Sequence, residues 1–271
     1  DGVPALSIPL DDRGLHYGDG LFETIAASGG EAHFLAAHLA RLARGCTALD
    51  IVMPEAGTLR AEVARAAALA PHVLVKLIVT RGSATLRGYA VAGDESTRRI
   101  VCGYAWREGP GIDVAPARIG VSPRRVAWPV LLPGIKHLNR LEQVLARTEA
   151  QSRGLDEALL CTDDGRIMGG SMTNVFFAMG EILVTPPAAG CVVAGVMRGV
   201  VIDCAQRAGM RVVEREIDLA EIDGSASLWL PNARVGLWPV ATLDGAPLTR
   251  HPAVGRLRAA IRAAAEALQE S

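Results

Sequence analysis

The chain has almost no excess charge: 28 lysines and arginines stand against 29 aspartates and glutamates over 271 residues, a formal net charge of -1. That balance excludes the electrostatic footprint of a non-specific nucleic-acid binder and leaves room only for a local basic pocket aimed at a small anion. Cysteine is sparse as well. Cys46, Cys102, Cys161, Cys191 and Cys204 are odd in number, widely scattered and without a C-x-x-C pair, so neither a disulfide framework nor a zinc ribbon is indicated, and a reducing cytoplasm is the expected compartment. No apolar run approaches the roughly 18 residues of a membrane span, and Asp11, Asp12 and Arg13 stand where a signal peptide would be apolar.

Catalytic signatures are also missing. The chain has no G-x-S-x-G elbow, no H-E-x-x-H, no G-x-x-x-x-G-K-[ST] and no G-x-G-x-x-G, which removes several enzyme classes. Histidines 16, 33, 38, 72, 137 and 251 show no ligand spacing with a neighbouring acid, so no metal site is expected. Lysine occurs only at Lys76 and Lys136.

What is present is a soluble pattern of alternating periods, with half the residues hydrophobic and 21% charged. Leu35, Leu39, Leu42, Cys46 and Leu49 recur at steps of four and three, which predicts a helix over 36–49. A second helix is expected over 58–70, and the β-branched runs 73–79 and 99–102 read as strands. Glu108-Gly109-Pro110-Gly111 stops either period. The expectation is therefore a small α/β domain over 1–108, a linker over 109–114, and a C-terminal domain over 115–271. In that second domain Asn139-x-x-Glu142 with Leu138, Leu141 and Leu145 reads as a capped amphipathic helix to about 153, closed by Gly154. Short strands crowd together at 157–161, 173–178, 181–184, 211–217 and 226–230, a helix ends at Gly209, and a last helix runs through Leu257, Ile261, Ala264 and Leu268. Many strands with few helices predict a barrel-like sheet.

Three segments carry candidate chemistry. Lys136 lies in Pro133-Gly134-Ile135-Lys136-His137-Leu138-Asn139-Arg140, flanked on both sides by apolar residues. A lysine is ordinarily a solvated surface residue, but one drawn into apolar surroundings is suited to Schiff-base chemistry. Gly195-Val196-Met197-Arg198 opens a helix, so it is either an ordinary glycine turn or a cup whose Val196 and Met197 amides face a phosphate at the positive end of the dipole. Arg41 either faces solvent or supplies a permanent charge to the same anion.

Taken in order, Tyr17-Gly18-Asp19-Gly20-Leu21-Phe22-Glu23-Thr24, His38-x-x-Arg41-Leu42, Arg81-Gly82, Arg87-Gly88-Tyr89, Gly134 to Glu142, Asn174-x-Phe176 and Gly195 to Arg198 resemble the fold-type IV pyridoxal-phosphate enzymes over nearly the whole chain. The Lys136-His137-Leu138-Asn139-Arg140-Leu141-Glu142-Gln143 run is more similar to the aminodeoxychorismate lyases of that family than to its branched-chain or D-amino-acid aminotransferases. The resemblance implies a two-domain α/β protein carrying its cofactor lysine in the C-terminal domain, and a homodimer. It implies that Lys136 binds pyridoxal phosphate and acts as the catalytic residue. It further implies that Arg41, Val196 and Met197 hold the phosphate, that Asn232, Ala233 and Asn174 complete the cofactor site, and that Arg81, Arg87 and Tyr89 line the substrate side. The implied reaction converts 4-amino-4-deoxychorismate to 4-aminobenzoate and pyruvate. The alternatives are an aminotransferase acting on D-alanine or branched-chain amino acids and a catalytically silent relative.

One position departs from the family. Its members usually carry, a few residues before Asn-x-Phe, a glutamate that pairs with the protonated pyridine nitrogen; here Gly169 stands at that place. Without a carboxylate the ring is a weaker electron sink, which suits an elimination that creates an aromatic ring better than a transamination. Ser171, a water or an acid elsewhere are the open substitutes.

Overall fold

Alternating burial along the strands decides where the helices of the first half sit. The computed structural model describes residues 2–5, 7–83, 88–93, 95–107, 114–128, 130–190, 192–224 and 226–267. It divides into two units, Asp1–Pro110 with Ile135–Asn139, and Gly111–Gly134 with Arg140–Ser271. The first contains α1 (Arg13–Tyr17), β1 (Gly20–Ser28), β2 (Glu31–Ala32), α2 (Leu35–Leu49), α3 (Ala56–Ala67), β3 (His72–Thr80) and β4 (Arg98–Ala105). Its antiparallel sheet runs β2-β1-β3-β4. Val73, Val75, Leu77 and Val79 of β3 pack with Leu39, Leu42 and Cys46 of α2 and Leu59 and Val63 of α3 in one core. Because side chains alternate along a strand, Leu74, Lys76 and Ile78 fall on the other face, where they are only half-buried.

Residues 135–139 belong to this first unit, which corrects their expected place in the C-terminal domain. The Phe22 N–H donates to the Lys136 carbonyl (3.0 Å), the Leu138 N–H donates to the Gly20 carbonyl (2.9 Å), and Leu21 pairs with His137. Backbone pairing with β1, remote in sequence, overrides chain order. Of the linker expected over 109–114, residues 109–113 lie outside the described residues.

The second unit contains β5 (Ala117–Arg125), α4 (Leu141–Ser152), β6 (Glu157–Cys161), β7 (Ile167–Gly170), β8 (Phe176–Met179), β9 (Ile182–Thr185), α5 (Val196–Arg207), β10 (Arg211–Glu214), β11 (Ser227–Asn232), β12 (Gly236–Leu243), β13 (Ala246–Pro247) and α6 (Ala253–Ala267). Its sheet, ordered β10-β9-β8-β11-β12-β5-β6-β7 with β13 on β12, curls as a half-barrel. All five residues of β6 are buried because both its faces are covered. Leu159 and Cys161 join the core with Ile119, Phe177 and Leu228, while Ala158 and Leu160 meet Ala146 and Ala150 of α4.

The α4 helix forms where expected, with a different start and a different buried face. Its N-cap is Arg140, with no side-chain cap bond. Asn139 instead donates to the Gly18 carbonyl at 3.2 Å. The small residues Ala146 and Ala150 face the sheet, leaving Leu141, Val144 and Leu145 exposed.

Candidate active site

Adjacent residues of β1 serve opposite faces of the first unit's sheet. Phe22 lies on the open face, where the Lys136 Nζ sits 4.2 Å and the Lys76 Nζ 5.0 Å from its ring centroid. Lys136 is half-buried, as its apolar flanks suggest. Glu23, next along the strand, turns inward and is 1% exposed. Its carboxylate accepts from Arg41 Nε (2.8 Å) and Nη2 (2.5 Å) of α2 and contacts His38 Nδ1 at 2.6 Å. Helical spacing makes this possible, since residues three apart share a face. Burial alone raises a carboxyl, but the hydrogen bonds from Arg41 and His38 outweigh it and hold Glu23 down at about 2. Burial lowers His38, against the pull of Glu23, and the charges of Arg41 and Lys136 add to that lowering. The imidazole is therefore neutral at pH 7 and donates its Nδ1 hydrogen to an ionised Glu23 already balanced by Arg41.

Of the residues expected on the substrate side, Arg81 makes its contacts within the fold. Arg81 Nε donates to Asp19 (2.9 Å), while Nη1 and Nη2 donate to the Asp50 and Leu49 carbonyls (2.7 and 2.6 Å). It thus satisfies carbonyls left over at the C-terminal end of α2, so each of its three nitrogens already serves a structural contact. Arg13 donates to the same Asp19 and to the carbonyls of Gly88, Tyr89 and Ala90. Burial opposes ionisation of Asp19, yet the bonds from Arg81 and Arg13 bring its carboxyl below the ordinary range. Tyr89 is exposed, with its ring edge-on to Tyr17 at 5.3 Å. Arg87 lies outside the described residues.

The second unit gathers most of the residues expected at a cofactor phosphate. Gly195 caps α5 with no side chain, so no side-chain oxygen caps the first-turn amides of Val196 and Met197. The Asn174 amide group donates to the Val193 carbonyl at 2.9 Å, and its Oδ1 lies where a Cβ on Gly195 would fall. Only glycine fits that close approach. The Asn174 N–H donates to the Pro231 carbonyl (3.2 Å), which brings the end of β11 beside it. There Asn232 Oδ1 accepts from the Arg234 and Val235 amides (2.9 and 2.8 Å) and shapes the turn that contains Ala233. Asn174, Val196, Met197, Asn232 and Ala233 therefore neighbour one another through this network, whereas Arg41 belongs to the first unit and is held by Glu23.

Gly169 is buried at φ 134°, and a Cβ there would sit 3.0 Å from the Thr173 carbonyl oxygen. Glu157, which the sequence reading passed over, accepts from the amides of Ala158, Ser171 and Met172 and from the Ser171 hydroxyl. It pins the turn between Gly169 and Asn174, so the Ser171 hydroxyl is already engaged.

This arrangement, a half-buried lysine against an aromatic ring in one unit and an uncapped helix start built around a glycine in the other, accompanies a family match over residues 20–243 to the model described as amino-transferase class IV. The chain belongs to the class IV aminotransferase family. An aminodeoxychorismate lyase of Vibrio harveyi is 30% identical over 252 residues, covering 90% of each chain. A branched-chain-amino-acid aminotransferase candidate of Methanocaldococcus jannaschii is 33% identical over 254 residues, covering 88% of this class IV chain and 83% of its own. The crystal structure of a 4-amino-4-deoxychorismate lyase from Pseudomonas aeruginosa superposes with a TM-score of 0.87 at 37% identity over 97% of each chain.

Proposed function

We propose that the chain is a pyridoxal-phosphate-dependent lyase that converts 4-amino-4-deoxychorismate to 4-aminobenzoate and pyruvate, the step that feeds folate synthesis. The observation that carries this reading is Lys136, half-buried and held by the backbone of β1 with its amine against the Phe22 ring. The cofactor fits the residues present: Val196 and Met197 offer amides to a phosphate, and Gly195 at the helix start makes no side-chain cap bond to them. Asn232 and Ala233 supply a second turn, and Arg41, pre-oriented by Glu23, supplies permanent charge. When bound, the cofactor provides an electron sink beside the substrate's amino group. Lys136 is the base that takes the proton from the ring carbon, and its ammonium returns a proton to the enolpyruvate as the carbon–oxygen bond breaks. The organic product gains an aromatic ring, and no water or oxidant is consumed.

Gly169 supports lyase over transaminase. No side chain is available there to pair with a pyridine nitrogen, and aromatisation rather than ring protonation supplies the driving force. An aminotransferase reading, favoured by the Methanocaldococcus relative, requires turnover with an oxo acid. The deciding experiment supplies purified holoenzyme with aminodeoxychorismate and measures pyruvate and 4-aminobenzoate in equal amounts without any oxo acid. Turnover of D-alanine or valine only when 2-oxoglutarate is added, with no pyruvate from aminodeoxychorismate, contradicts the proposal.

The homodimer that the family resemblance implies is supported by exposed apolar residues of the second unit. Leu131 is 92% and Leu141 69% exposed, with Val144 and Leu145 beside Leu141 on α4, a pattern that a second copy would cover. Among the described residues no helix is long and apolar enough to cross a membrane, consistent with a cytoplasmic site of action.

A further inference from the structure

Glu157, the first residue of β6, is fully buried and pairs with no basic side chain among the described residues. Every contact its carboxylate makes is with a donor. Oε1 accepts from the Ala158 N–H (2.8 Å), the Ser171 N–H (3.1 Å) and the Ser171 hydroxyl, and Oε2 accepts from the Met172 N–H (3.1 Å) and the Thr173 hydroxyl (3.3 Å). Burying a carboxylate is costly unless hydrogen bonds replace its hydration, and here all the donors but one belong to the three residues that precede Asn174. The turn closes tightly around it. The Gly170 N–H donates to the Thr173 carbonyl (2.8 Å), and a Cβ on Gly170 would lie 3.0 Å from Glu157 Oε2. The chain leaves this turn at Asn174, whose side-chain amide holds the Val193 carbonyl (2.9 Å) and whose Oδ1 abuts Gly195, the cap of α5. A line of hydrogen bonds and contacts therefore runs from Glu157 through residues 171–174 to the helix start that carries the Val196 and Met197 amides.

We propose that Glu157 is a positioning residue for the phosphate-binding end of the cofactor site: by fixing the turn over 171–173 it sets Asn174 against Gly195 and keeps the start of α5 in shape to receive a phosphate. The inference rests on the cofactor reading above and deepens it. A carboxylate suits this task because both of its oxygens accept, and donors face it on both sides. In glutamine one of those oxygens becomes an NH2 group. With the remaining oxygen on the side of Ala158 and Ser171, the NH2 group faces the Met172 N–H, donor against donor, and the turn has to move to relieve it. Asn174 Oδ1 is already in contact with Gly195, so a displacement of the turn passes to the cap of α5 instead of being absorbed.

The test titrates wild-type and Glu157→Gln apoproteins with pyridoxal phosphate and, separately, with pyridoxal, which offers the same aldehyde and ring without the phosphate. Affinity for pyridoxal phosphate should fall about 10- to 100-fold in Glu157→Gln, while affinity for pyridoxal stays within about threefold. A general loss of packing would weaken both ligands alike. The phosphorus-31 resonance of the bound phosphate should also move in the variant. In a Gly195→Ala background, where the cap is already displaced, Glu157→Gln should weaken pyridoxal phosphate binding by less than about threefold more. Ser171→Ala, which removes one donor and leaves the carboxylate in place, is the second variant should the glutamine protein fold poorly; it should show the same phosphate-selective loss at about three- to tenfold. Equal weakening toward both ligands, an unchanged affinity for pyridoxal phosphate, or fully additive effects with Gly195→Ala overturns the proposal. If the wild-type protein does not itself favour pyridoxal phosphate over pyridoxal, the phosphate cup of the cofactor reading fails; a wild-type preference that survives unchanged in the variants removes Glu157 alone.

Discussion

Replacing Glu23 with glutamine removes the anion that Arg41 and His38 share. Arg41 is 6% exposed, so its guanidinium would be left buried without a counter-charge, a change that costs about 3–5 kcal/mol when one partner of a buried pair is deleted. The depression of Glu23 from 4.5 to about 2 gives an independent figure of about 3 kcal/mol at neutral pH. The sign is fixed by the direction of the shift. A carboxyl whose folded value is lowered stabilises the protein above its unfolded value, and this contribution is lost as pH falls from 4.5 toward 2. Urea unfolding of wild type and Glu23→Gln, followed by far-ultraviolet circular dichroism, should differ by about 3–5 kcal/mol from pH 7 to about 5.5. The gap should narrow below pH 4.5 and close near pH 2. His38 acts in the same direction from higher pH: its folded value is lowered from 6.5, so both proteins should lose some stability as pH falls below that value. A difference under about 1 kcal/mol at pH 7, or one that does not change between pH 5.5 and 2.5, would refute the reasoning.

Three further outcomes follow from the same geometry. Arg81→Met should lower the thermal midpoint by roughly 3–10 °C through loss of charged hydrogen bonds while KM for aminodeoxychorismate stays within about threefold; a large KM rise at unchanged midpoint would restore it as a substrate anchor. Gly195→Ala drives a methyl into Asn174 Oδ1, so titration of the apoprotein with pyridoxal phosphate should show affinity at least about tenfold weaker, and an unchanged affinity would contradict the phosphate cup. Gly169→Glu places a side chain at φ 134° and should cost about 1–3 kcal/mol of stability; in the surviving enzyme it should favour transamination over lyase turnover, and an equal effect on both rates would remove the argument from Gly169.

Local periodicity made much of the framework legible. The leucine spacing along 35–49 and the β-branched run at 73–79 became α2 and β3 almost residue for residue, because both bury a continuous apolar stripe. β1 escaped notice since its buried face is interrupted by Glu23, whose partners lie on another element. β5 carries Ser122, Pro123 and two terminal arginines and does not read as a strand from propensity alone. The leucines of α4 were visible, but which way they point depends on the small residues Ala146 and Ala150 fitting the sheet. The half-burial of Lys136 was legible from its apolar flanks, while the unit it joins was not, because pairing with β1 is long-range and leaves no periodic trace. Arg81 shows the same limit: spacing finds a basic residue, and only the fold says that Asp19 already engages it.

The most direct test of the account is borohydride reduction of the cofactor-loaded protein followed by peptide mass mapping. The account predicts a visible band above about 400 nm that collapses on reduction and a single phosphopyridoxyl adduct on Lys136. An adduct on Lys76, or no adduct on either lysine after loading with pyridoxal phosphate, would contradict it.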